Sequence, residues 1–123
     1  MIFKYFKIMF ILYCIMNNYT FLDKYKVITL CGSTKYKSIF DKINLEFTLM
    51  GKIILQPGCY AHADNIVITD NQKFKLDLLH KEKILMSDCI YVINEDNYIG
   101  PSTKSEIDFA IANNIPVYYL HEV

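Results

Sequence analysis

KVITLCGSTKYKSIFDKINLEFTLMG, residues 26–51, decides the fold. Residues 26–30 are short, apolar and β-branched and run into Cys31-Gly32-Ser33-Thr34, so they read as a buried strand entering a turn. Over residues 35–50, Ile39, Phe40, Ile43, Phe47 and Met50 recur at spacings of three and four, which predicts an amphipathic helix closed by Gly51. KIILQ, residues 52–56, is a second buried strand. A strand, a crossover helix and a second strand, both strands apolar, require a parallel pair inside a sheet covered on its faces.

The same alternation continues outward. Pro57-Gly58 breaks the second strand into a loop reaching Asp70, longer than a bare connection needs and carrying Cys59, Tyr60, His62 and Asp64; this favours a functional lid. Residues 71–87 predict a helix with Phe74, Leu78 and Leu85 along its apolar stripe, widened by Leu79 and Met86. CIYVI, residues 89–93, is a third strand, residues 94–101 a polar loop, residues 102–113 a third helix, and Pro116 releases a last strand over 117–120. The order β-α-β-α-β-α-β predicts an α/β fold, a doubly wound open parallel sheet with helices on both faces. Ligands of such sheets bind beyond the carboxyl ends of the strands, here residues 31–35, 57–64 and 94–106.

A length of 123 residues suits one domain, and 53% hydrophobic residues supply its core. Thirteen basic residues balance thirteen acidic ones, so no field of one sign favours a nucleic-acid polymer or a membrane surface. Every basic residue is Lys, so a phosphate must be held by Lys, hydroxyls and backbone N–H groups. Four Cys at 14, 31, 59 and 89 form no C-x-x-C pair, and His62, His80 and His121 form no ligand spacing; buried thiols in a reducing cytoplasm are expected, with no metal and no cofactor. Residues 8–16 are apolar behind Lys4 and Lys7 and resemble the start of a signal peptide, but are too short for a confident span, and no small-residue cleavage site follows. Residues 1–25 therefore read as an apolar tail or a mis-assigned start, with Met16 as the alternative first residue, and residues 26–123 as the domain.

Two segments carry candidate chemistry. Cys31-Gly32-Ser33-Thr34-Lys35 matches neither a triphosphate loop nor a dinucleotide fingerprint, yet Gly32, two hydroxyls, Lys35 and a following helix N-terminus suit a single phosphate. The same residues also make an ordinary helix cap. In Gly100-Pro101-Ser102-Thr103-Lys104-Ser105-Glu106, Thr103 and Glu106 have the spacing of a capping box. Alternatively Glu106, in the first helical turn at the mouth of the sheet, is a carboxylate kept ionised by the helix N-terminus and able to attack an anomeric carbon.

Taken together, KVITLCGSTKYK, GKIILQPG, LDLLHKEKILMSD, CIYVIN and YIGPSTKSEIDFAIANNIPVYYL resemble the nucleoside 2-deoxyribosyltransferase superfamily, nearest its small members with a GxSTxxE pattern. The resemblance covers about residues 26–121. It implies a Rossmann-like sheet and a nucleoside or nucleoside 5′-monophosphate as partner. It also implies cleavage or transfer of the N-glycosidic bond through a covalent glycosyl intermediate on Glu106. Gly32 and Ser33 would line the sugar or phosphate pocket, with Ser102 and Thr103 beside Glu106; Lys35, Asn94 and Gly100 are further substrate-facing candidates. The family's helix Asp is replaced by His80, eight residues before Asp88, which leaves His80 as a general acid near neutral pH or Asp77, one turn earlier, as the substitute. Lys81 is positioned to pair with Asp77 instead. His62 and Asp64 are candidate base contacts. Because that Asp is missing, a nucleotide sensor without turnover is the rival reading, and ribonucleotide phosphoribohydrolase chemistry the second enzymatic one. Ten Tyr and eight Phe exceed what so small a core readily buries, so a homodimer or larger assembly is expected.

Overall fold

A computed structural model describes residues 7–9, 11, 12, 16 and 19–123. The strands are β1 (Val27–Gly32), β2 (Ile53–Leu55), β3 (Cys89–Ile93) and β4 (Val117–Tyr119), and the helices α1 (Lys37–Leu49), α2 (Asp70–Leu85) and α3 (Pro101–Ala112). All strands are parallel, in the order β2-β1-β3-β4. The chain leaves β1 toward one edge and β3 toward the other, so the direction of winding reverses between these two central strands.

Alternation along the strands sorts the core into two layers. Ile28 and Leu30 of β1 and Tyr91 and Ile93 of β3 pack with Phe40, Ile43 and Phe47 of α1. Cys31, Ile90 and Val92 face the other way, onto Ile84 of α2 and Ile107 and Ala110 of α3. Phe40 and Phe47 are fully buried, worth about 1.5–3 kcal/mol each. Asp88 fastens the start of β1, its Oδ2 accepting from the backbone N–H groups of Lys26 and Val27 at 2.9 Å each.

Three sequence expectations need correction. The tail does not end at residue 25, because a short 3-10 helix over Thr20–Lys24 delivers Leu22, with Tyr19 before it, into the α1-side core. The apolar stripe of α2 does not face the core: Phe74, Leu78, Leu79, Leu85 and Met86 are exposed, and the buried side of the helix is His80 and Ile84. Helix α3 starts at Pro101 with Gly100 as its N-cap and no side-chain cap, so the capping box of Thr103 and Glu106 does not form. Proline is favoured at the first helical position because its missing N–H would have no partner there, and this moves Glu106 into the second turn.

The reading of an apolar tail or a mis-assigned start falls largely on residues 1–6, 10, 13–15, 17 and 18, which lie outside the described residues. Among the described residues, no helix is long and apolar enough to cross a membrane.

Gly32 ends β1 at a φ of +153°, and a Cβ there would lie 2.7 Å from the Ile93 carbonyl oxygen of β3. Gly32→Ala is therefore expected to destabilise the fold by about 2–4 kcal/mol, since the backbone conformation and the overlap with a main-chain atom both oppose it. Urea unfolding of the two proteins measures the difference; equal midpoints would refute it.

Candidate functional site

A cavity of about 510 Å³ opens where β1 and β3 end, between the loop after β2 and the facing sides of α2 and α3. Gly32 and Ser33 line one side, Pro57, Gly58, Cys59 and His62 a second, and Lys73, Asp77 and His80 of α2 a third. Gly100, Ser102, Thr103 and Glu106 close it.

The chemistry concentrates at the floor. Glu106 is buried and projects from α3 toward α2, where its Oε2 lies 3.9 Å from His80 Nε2. Behind both, on β1, the fully buried Cys31 places Sγ 3.5 Å from His80 Nε2. His80 Nδ1 and Glu106 Oε2 have no hydrogen-bond partner although both atoms are buried.

Burial governs the protonation of all three groups. Loss of hydration pushes the Glu106 carboxyl up to about 7, opposed by the hydrogen bond from Cys31 and the positive charges of Lys81 and Lys73. Burial pushes the His80 imidazole down to about 4, helped by the charge of Lys83. Burial raises the Cys31 thiol well above its ordinary value, and the nearby Glu106 adds to the shift. At neutral pH His80 is therefore a neutral imidazole, and the expectation of an imidazolium acid with a near-neutral pKa is corrected. The expectation that a helix N-terminus keeps Glu106 ionised is corrected likewise: in the second turn desolvation outweighs the dipole, which falls off within the first turn.

Around the floor the sequence candidates divide. Asp77 lines the cavity and pairs with Lys73 at 3.3 Å, one turn before it, rather than with Lys81. Lys73 Nζ also donates to Ser102 Oγ at 3.1 Å, tying α2 to the start of α3 across the mouth. Ser33 lines the cavity while its Oγ accepts from the Lys35 backbone N–H, at a long 3.4 Å, as the cap of a 3-10 turn over Thr34–Tyr36.

Lys35, Asp64 and Asn94 do not line the cavity. The Lys35 ammonium lies 3.8 Å from the centre of the Tyr98 ring, a cation–π contact that occupies it. Asp64 pairs with Lys37 at 2.9 Å and draws the β2–α2 loop against α1. Asn94 is fully buried and clips the C-terminus to the end of β3, donating to the His121 carbonyl at 2.9 Å and accepting from the His121 N–H at 2.8 Å. Sequence reasoning missed Lys73 and Cys31. Strand alternation alone pointed Cys31 toward the α2–α3 side of the sheet, and Lys73 stands one turn from Asp77 on the helix face that carries it. No protein-family model matches the chain, and no curated protein matches it.

The two shifted groups act on stability in opposite directions. Glu106, raised in the folded state, binds its proton more tightly there, so its contribution falls as pH rises from about 4.5 to about 7. His80, lowered, resists its proton in the folded state, so its contribution rises with pH from about 4 to about 6.5. Between pH 4.5 and 6.5 they oppose each other and the wild type should change little. Glu106→Gln should gain about 2 kcal/mol relative to wild type across that window. Denaturant unfolding at several pH values measures this; parallel curves for the two proteins would contradict it.

Proposed function

We propose that the chain cleaves or transfers the N-glycosidic bond of a nucleoside or nucleoside 5′-monophosphate, with Glu106 as the nucleophile. The observation that carries this reading is the unpartnered Glu106 Oε2 at the floor of a cavity large enough for such a ligand. In the ionised form Oε2 attacks C1′; the C1′–N bond breaks, and the base leaves with the bonding pair and takes a proton from cavity water. Water then hydrolyses the glycosyl ester, or a second base accepts the sugar. Asp77, which lines the cavity beside Lys73, would accept a hydrogen bond from a sugar hydroxyl. Lys73, beside Ser102, supplies the cavity with a cation for a 5′-phosphate, a role Lys35 is turned away from.

One observation favours the sensor reading. With a pKa of about 7, a substantial share of Glu106 is protonated at neutral pH, and a neutral carboxyl binds rather than attacks. The two readings part on pH. For the enzyme, base release should rise through about pH 7 as Glu106 ionises, and Glu106→Gln should lower it by about a thousandfold or more. Chromatography of released base from a panel of ribo- and deoxyribonucleosides and their monophosphates measures both, and the same panel separates the phosphoribohydrolase alternative. Calorimetric binding without release at any pH from 5 to 8 would establish the sensor. Lys73→Ala should weaken monophosphate binding about tenfold and leave the plain nucleoside nearly unchanged; equal losses would remove Lys73 from phosphate recognition.

A homodimer forms part of the same proposal. The exposed stripe of Phe74, Leu78 and Leu85 on α2 supplies an apolar face for a second copy. Leu78→Glu should shift a sedimenting dimer to monomer at micromolar concentration, whereas a monomeric wild type would refute the assembly. A cytoplasmic site suits the buried free thiols of Cys31 and Cys89.

A further inference from the structure

Cys31, His80 and Glu106 come from β1, α2 and α3, all three are buried, and their donor atoms lie within 4.8 Å of one another. A tetrahedral zinc ion, with a Zn–S bond of about 2.3 Å and Zn–N or Zn–O bonds of about 2.0–2.2 Å, separates sulfur from nitrogen by about 3.6 Å and nitrogen from oxygen by about 3.4 Å. The Cys31 Sγ to His80 Nε2 separation of 3.5 Å already has that length. The His80 Nε2 to Glu106 Oε2 separation of 3.9 Å is too long for a hydrogen bond and must close by about half an ångström, a small rotation of the Glu106 side chain. Glu106 Oε2, at one end of this gap, is buried and has no hydrogen-bond partner.

We propose that Cys31, His80 and Glu106 bind one divalent transition-metal ion of the zinc type at the floor of the cavity, with its fourth position open to the cavity. The charges close: a thiolate and a carboxylate cancel the two charges of the ion, and the imidazole is neutral, so the site buries no net charge. On binding, the Cys31 thiol loses its proton to solvent as the metal–sulfur bond forms, and a protonated Glu106 carboxyl loses its own as the metal–oxygen bond forms. Sulfur and nitrogen donors select against magnesium and calcium, which take oxygen ligands. Bound metal and nucleophilic Glu106 exclude each other, because both use the same carboxylate.

Cobalt(II) added to the full chain after chelator treatment tests the site with no nucleoside present, so its outcome is independent of the glycosidic reading. The expected result is one ion per chain, a thiolate-to-cobalt charge-transfer band in the near ultraviolet, and displacement of the band by zinc. Cys31→Ser should abolish the band and weaken cobalt affinity by more than about a hundredfold, while the Cys14→Ser/Cys59→Ser double variant should keep both. His80→Gln serves as a second variant: it should weaken cobalt binding even should Cys31→Ser fail to fold. Absence of the band in the wild type, its loss in the double variant, its survival in Cys31→Ser, or unchanged affinity in His80→Gln would each overturn the site.

Discussion

The pairing of β1 with β3 carries the rest of the molecule. These two strands run in register from Ile28 opposite Cys89 to Gly32 opposite Ile93, and α1, α2 and α3 each pack against side chains that one or the other supplies. Because the chain departs from them in opposite directions, a cleft is left beyond their carboxyl ends, bounded by the loop after β2 and by α2 and α3. Gly32 lets the strands come together up to that point, since any side chain would meet the Ile93 carbonyl. The cavity is thus a product of winding order, and the side chains around it come from helices that the same winding places on one face of the sheet.

That placement sets the electrostatics of the floor. Ile84, Ile107 and Ala110 are buried beside Cys31 between α2 and α3, with Thr103 the other buried polar side chain of α3. Three titratable groups in such surroundings all shift toward their uncharged forms, because the cost of dehydrating a charge exceeds what the few nearby charges return. Lys73, Lys81 and Lys83 lie at the rim or farther out and act on the floor only through space. The protein therefore holds a carboxyl group whose charge changes near neutrality, next to an imidazole whose charge does not.

Much of the architecture was legible in the sequence because strands buried on both faces are written as unbroken apolar runs. CIYVI is such a run, and it is the fully buried β3. Helices were legible as elements, less so in their orientation. In α2, apolar spacing marked Phe74, Leu78 and Leu85, yet the side facing the sheet bears His80, a residue that periodicity reads as polar and outward. In this helix the apolar face and the face toward the sheet are different faces. In α3, Pro101 outweighed the Thr-x-x-Glu pattern because a fixed φ at the first helical position sets the start of the helix regardless of what side chains follow. Of the site, Glu106, His80 and Asp77 were found from local pattern and from resemblance. Cys31 carried no spacing signal, since three residues from β1, α2 and α3 meet only through the crossovers.

The strands at the two borders of the sheet, β2 and β4, are three residues each, against six in β1 and five in β3. A border that short exposes few unpaired main-chain groups, and Lys52 precedes β2 directly. Little template is left on which a further strand, from another copy or from an unfolded chain, could add itself. The sheet is closed to growth by truncation rather than by being covered. Strand addition at either border would gain only a few main-chain hydrogen bonds, so the sheet itself offers a poor starting point for fibril growth.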